Sequence, residues 1–67
     1  MALTLKAARV NIGLNQRQAA KRLGISLASL QNYEAGRKYP NVLILKRIEK
    51  LYGVPYADLI FLPKNRA

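Results

Sequence analysis

The sequence predicts an all-α domain, a compact bundle of five short helices, on three observations. Apolar residues recur at three- and four-residue spacing between the glycines, and no stretch sustains the alternation of a strand. Each of the four glycines, Gly13, Gly24, Gly36 and Gly53, falls where an apolar repeat stops, the place for a helix-ending residue with positive φ. With 67 residues and no internal repeat, residues 1–67 are expected to form a single domain, with its core over about 3–62 and a tail at 63–67. So small a core gives a stability of about 3–5 kcal/mol.

The first helix is expected from about Leu3 to Ile12, with Leu5, Ala8 and Ile12 on one stripe. The second starts behind Asn15, a good N-cap, and turns Ala19, Ala20 and Leu23 inward. The third starts behind Ser26 and faces inward through Leu30 and Tyr33. Pro40-Asn41 opens the fourth, where Val42, Leu45, Ile48 and Tyr52 keep the helical repeat. The fifth is the short segment after Pro55, with Leu59 and Ile60 inward and Pro63 closing it. Lys64 to Ala67 then make a frayed tail.

Between the second and third helices the residue types are specific to a close crossing. Ala19 and Ala20 are small, Gly24 permits the reversal, Ile25 anchors it and Ser26 caps the third helix. A generic helical hairpin accounts for the small residues and the glycine. It does not require Ser26 as the next N-cap with polar residues exposed just beyond, which is how a helix-turn-helix reader of DNA looks in sequence.

Charge points the same way. Twelve Lys and Arg stand against three acids, a net charge of +9 with a pI near 10.5. Self-repulsion of this kind favours a polyanionic partner, and solubility alone does not require such one-sidedness. Cysteine and histidine are absent, and the acids, Glu34, Glu49 and Asp58, are scattered. Disulfides, thiolate or imidazole metal sites and the usual catalytic pairs therefore lack their residues, so a non-enzyme without cofactor or metal is expected. The N-terminal residues break their apolar run at Lys6 and Arg9, which leaves no signal peptide or membrane span and suits a cytoplasmic protein.

Asn15-Gln16, Ala20, Leu23-Gly24, Ile25-Ser26, Leu30, Tyr33-Glu34, Gly36, Pro40 and Gly53-Val54, in that order and spacing, resemble the Cro/CI-type (XRE) helix-turn-helix domain, a lambda repressor-like DNA-binding fold. The resemblance runs from about Leu5 to Phe61. It implies a transcriptional regulator of phage or bacterial type, a repressor, whose partner is a double-stranded DNA operator. In phage repressors the third helix lies in the major groove, the second crosses the backbone, and two copies bind half-sites about one helical turn apart. The resemblance also implies a homodimer, at least on DNA, with no membrane and no small-molecule ligand evident.

Carried over by position, Leu27, Ala28, Gln31 and Asn32 are the expected base contacts. Asn32 or Gln31 suits adenine, while Leu27 and Ala28 suit a thymine methyl. Leu27 equally suits packing against the second helix, and Ala28 suits a plain helix former. Relatives carry glutamines at the first two of these positions, so their base preference is not inherited here. Gln16, Arg17, Ser26, Ser29, Arg37, Lys38, Tyr39 and Asn41 are the expected phosphate contacts. Lys46, Arg47 and Lys50 read better as a solvated outer face. Arg9 and Glu34 match positions where related domains tie the first helix to the end of the third by an ion pair; two solvated charges are the alternative. Glu49 stands where such domains carry a small apolar residue.

Apolar residues exceed what one small core hides. Val42-Leu43-Ile44-Leu45 covers more than one face, and Leu59-Ile60-Phe61-Leu62 is a second dense patch. A twofold interface and a minimal core that uses both faces explain this equally well. Two other functional classes stay open. One is a protein-interaction module, such as an antitoxin or antirepressor partner. The other is a basic membrane-surface binder, which ranks last because no helix sets aromatic residues against a clean basic flank.

Overall fold

Extended backbone, not helix, precedes the first helix in the computed structural model, which describes residues 2–61. A two-residue strand β1 (Leu3–Thr4) leads into α1 (Leu5–Asn11), α2 (Gln16–Leu23), α3 (Leu27–Ala35) and α4 (Val42–Tyr52). One 3-10 turn (Tyr56–Asp58) and a second short strand β2 (Leu59–Ile60) complete the order. The strands pair in parallel, Leu3 opposite Leu59 and Thr4 opposite Ile60.

Every α-helix starts at a side chain that accepts from a backbone N–H three residues on. Thr4 Oγ1 takes Ala7 N–H at 3.0 Å, Ser26 Oγ takes Ser29 N–H at 3.0 Å, and Asn41 Oδ1 takes Ile44 N–H at 2.9 Å. Asn15 forms a full capping box, with Gln18 N–H donating to its Oδ1 at 2.8 Å and its own N–H donating to Gln18 Oε1 at 2.9 Å. Such a cap contributes about 1 kcal/mol and sets where the helix starts.

Among the described residues there are four α-helices, so the expected bundle of five is corrected, and so is the expectation of a purely helical chain. The first helix begins at Leu5 because Thr4, with ψ 163°, is its extended cap. The expected fifth helix stops after a single 3-10 turn. Leu59, extended at φ −93° and ψ 134°, leaves that turn to pair with β1, which satisfies backbone groups a lone short turn leaves open. Successive strand side chains point opposite ways, so Leu59 is buried while Ile60, expected inward, is exposed. Ile12 and Val42, also expected on inner stripes, lie at helix ends and are exposed. The inner stripe of α4 is Ile44, Ile48 and Tyr52. Leu62, Pro63 and the expected tail lie outside the described residues.

The core joins Leu5 and Ala8 of α1, Ala19, Ala20 and Leu23 of α2, Leu30 of α3, the α4 stripe and Leu59. Leu23, Leu30 and Ile48 are its largest fully buried side chains. Ala19 and Ala20, both buried, let α2 approach its neighbours closely. The half-buried Ile25 and Tyr33 pack onto this cluster from the turn and from α3.

Candidate nucleic-acid interface

The turn between α2 and α3 is built by backbone constraint. Gly24 sits in the left-handed region at φ 74° and ψ 30°, a conformation that side chains with a Cβ rarely take. Its N–H bonds back to Lys21 C=O at 3.2 Å, and that of Ile25 to Ala20 C=O at 3.0 Å, closing the end of α2. Arg47 Nη1, reaching from α4, donates to Leu23 C=O at 3.0 Å. The residue read in sequence as part of a solvated face thus caps α2, and its guanidinium lies 3.0 Å from where a Cβ on Gly24 would stand.

A chain of polar contacts then ties α1, α2 and α3 together. Arg9 Nε donates to Glu34 Oε2 at 2.7 Å and Arg9 Nη2 to Oε1 at 3.2 Å, with both side chains more than nine-tenths buried. The third arm, Nη1, donates to Leu14 C=O at 2.9 Å, so one guanidinium holds the α1–α2 loop and the end of α3 at once. The bond to Glu34 raises the Arg9 pKa above its usual value, against the opposing effect of burial. Gln16 Nε2 donates to Glu34 Oε1 at 3.0 Å, and Gln31 Nε2 donates to Gln16 Oε1 at 3.4 Å. The network runs from the buried pair to the exposed face of α3.

That face borders an open cleft of about 560 Å³ lined by Lys6, Arg9, Asn15, Gln16, Arg17, Leu27 and Gln31. Lys6 and Arg17 line it together with Arg9, whose charge is paired with Glu34, and with four uncharged side chains. Ala28 and Gln31 are exposed on α3, while Leu27 and Asn32 are half-buried. Asn32 Oδ1 accepts from Arg37 Nε at 2.8 Å.

A family model described as helix-turn-helix matches residues 5–59. The chain belongs to the XRE-type helix-turn-helix family. It is 35% identical over 52 residues to the cryptic phage CTXphi transcriptional repressor RstR of Vibrio cholerae, covering 78% of this chain and 47% of that one. It is 34% identical over 56 residues to the HTH-type transcriptional activator BcrR of Enterococcus faecalis, covering 84% of this chain and 28% of that one. The chain therefore spans less than half the length of either relative. Both names are of transcriptional regulators, one a repressor and one an activator, and the family is one of DNA-binding transcription regulators.

On this helix-turn-helix scaffold the remaining named residues fall into separate places. Ser26 and Ser29 are joined by an Oγ–Oγ hydrogen bond of 2.9 Å at the start of α3. Arg37, Lys38, Tyr39 and Asn41 are exposed between α3 and α4 and do not line the cleft. Tyr39 shares a hydroxyl hydrogen bond of 2.8 Å with Tyr56, and its ring stacks at a tilt 4.7 Å from Phe61. The bond to Tyr56 raises the Tyr39 pKa. Glu49 is occupied at the start of the 3-10 turn, where its carboxylate accepts from Tyr56 N–H. Lys6, which the sequence patterns left without a role, joins the cleft. The available signal was its place three residues before Arg9, on one face of α1.

A second groove, of about 450 Å³, lies between α2 and α4 and is lined by Arg22, Arg47, Lys50 and Leu51. It shares no lining residue with the first. No helix among the described residues is long and apolar enough to cross a membrane.

Proposed function

We propose that this chain is a sequence-specific reader of double-stranded DNA and a transcriptional repressor, with α3 in the major groove. The observation that carries the reading is the open cleft at the α2–α3 face, where the exposed amide of Gln31 adjoins Lys6 and Arg17. Cations beside a polar helix face match a duplex, whose phosphates flank the hydrogen-bonding edges of its bases. Leu27, Ala28, Gln31 and Asn32 face bases in this reading. Gln16, Arg17, Ser26, Ser29, Arg37, Lys38, Tyr39 and Asn41 serve the phosphates on either side.

Repression suits it because occupying a promoter site excludes a polymerase without any further surface. One of the two relatives is named a phage repressor. The exposed Val42 and Leu43 at the start of α4 and Ile60 of β2 supply apolar surface for a second copy, so that a homodimer spans two half-sites.

Selection from a random duplex library at physiological salt tests this. The expected result is a palindrome with half-sites about one helical turn apart. Binding should weaken with salt at a log–log slope of about −0.9 per phosphate neutralised. Arg17→Ala should lower affinity for all sequences alike. Bulk binding with no enriched motif would overturn the reading in favour of a protein-interaction module.

A further inference from the structure

The contact chain from Glu34 to Gln31 has a direction set by chemistry. An ionised carboxylate only accepts hydrogen bonds, so Gln16 must turn its amide NH2 inward to meet Glu34 Oε1. The reverse orientation would set two oxygens against each other beside a buried charge. With its NH2 committed inward, Gln16 presents Oε1 to its other neighbour, and Gln31 answers with Nε2. Gln31 thus commits one N–H to Gln16. Its free edge is the amide oxygen and the second N–H.

An exposed glutamine on its own turns either way and discriminates poorly. Here two hydrogen bonds, anchored in a pair whose side chains are 8% and 6% exposed, hold one orientation. An acceptor beside a single donor complements adenine in the major groove, which offers the N6 amino group and N7. Guanine offers two acceptors there and meets the Gln31 oxygen with repulsion.

We propose that Gln16 is a specificity-determining residue. It transmits the polarity of the buried Arg9–Glu34 pair to Gln31 and fixes the edge with which α3 selects adenine over guanine. This rests on the reading of α3 as the base-contacting helix. It assigns Gln16 a role separable from holding a phosphate, because a phosphate contact carries no sequence information.

The experiment is duplex selection with the wild type, Gln31→Ala and Gln16→Leu, all keeping Arg9 and Glu34 so that the buried pair is intact. Gln31→Ala identifies the motif position that Gln31 reads, expected to be adenine in the wild-type motif. Gln16→Leu should lower the preference for adenine over guanine at that same position by about fivefold or more while leaving the other positions as they are. A uniform loss of affinity by Gln16→Leu with an unchanged motif would overturn the proposal. So would a Gln31→Ala motif identical to wild type, and either result leaves the DNA-reading function standing. A wild type that enriches no motif removes that function and the proposal together.

Discussion

Helices α3 and α4 are of similar length, nine and eleven residues, and are held in opposite ways. Along α4, Ile44, Ile48 and Tyr52 form a buried stripe, so apolar contact fixes it over three turns. Along α3 only Leu30 is fully buried. Its position depends on ties near its ends, the Ser26 cap and the Glu34 contacts to Arg9 and Gln16. On the proposed reading α3 keeps a face for DNA, and that face cannot also be buried in the core. Here a few directional bonds replace the packing it gives up, and the same bonds set how its polar side chains point.

If that contrast holds, the costliest single change on α3 lies in a polar tie. Glu34→Ala leaves the Arg9 guanidinium buried without its counter-charge, a loss of about 3–5 kcal/mol. That matches the whole stability expected of so small a domain, about 3–5 kcal/mol. Urea unfolding followed by circular dichroism should therefore find the variant largely unfolded at room temperature. A loss below about 1 kcal/mol would mean that the pair is solvated in solution and that α3 is held by Leu30 after all.

On α4 the corresponding change is apolar. Ile48→Ala should cost about 2–5 kcal/mol by emptying a fully buried site, with the spread set by how far the surroundings relax. The exposed face of α3 is the control, since Ala28→Ser touches no buried group and should move the unfolding free energy by no more than about 0.5 kcal/mol. Equal effects at the two positions would erase the distinction between the helices.

The parts of this arrangement legible in sequence are those written over three or four consecutive residues. Asn15 and Ser26 were readable as caps because a cap bonds to the N–H three residues on, and Gly24 because a left-handed turn nearly requires glycine. The pairing of Leu3–Thr4 with Leu59–Ile60 was not, since two residues carry no period and the partners come from opposite ends of the described chain. Helix ends failed similarly. Periodicity places Ile12 and Val42 on the inner stripes but does not show that the core has already ended there. At the candidate interface, the family resemblance marked Gln16 and Gln31 singly. The bond between them is a tertiary fact, as is the reach of Arg47 across 24 positions to Leu23.

Among the changes to buried groups, the smallest expected effect sharpens the comparison at the point where the two helices meet electrically. The Tyr52 hydroxyl of α4 is buried and has no hydrogen-bond partner among the described residues. Burial above all, and then the Glu34 carboxylate, push its pKa from 10.0 up to about 12, against the Arg9 guanidinium, which lowers it. A folded-state pKa above the unfolded one means that the phenol favours folding fully below pH 10, and that this contribution is lost as pH rises through about 12. Tyr52→Phe removes both the unpaired hydroxyl and the titration. It should leave stability at pH 7 unchanged or raised by about 1 kcal/mol. Between pH 10 and pH 12 it should lose less stability than the wild type, with the other tyrosines contributing equally to both. Thermal melts of the two proteins across that range give the comparison directly. A Phe variant less stable at pH 7 would show that the hydroxyl bonds to the Arg9–Glu34 pair in solution, and that α4 is also held by the polar network.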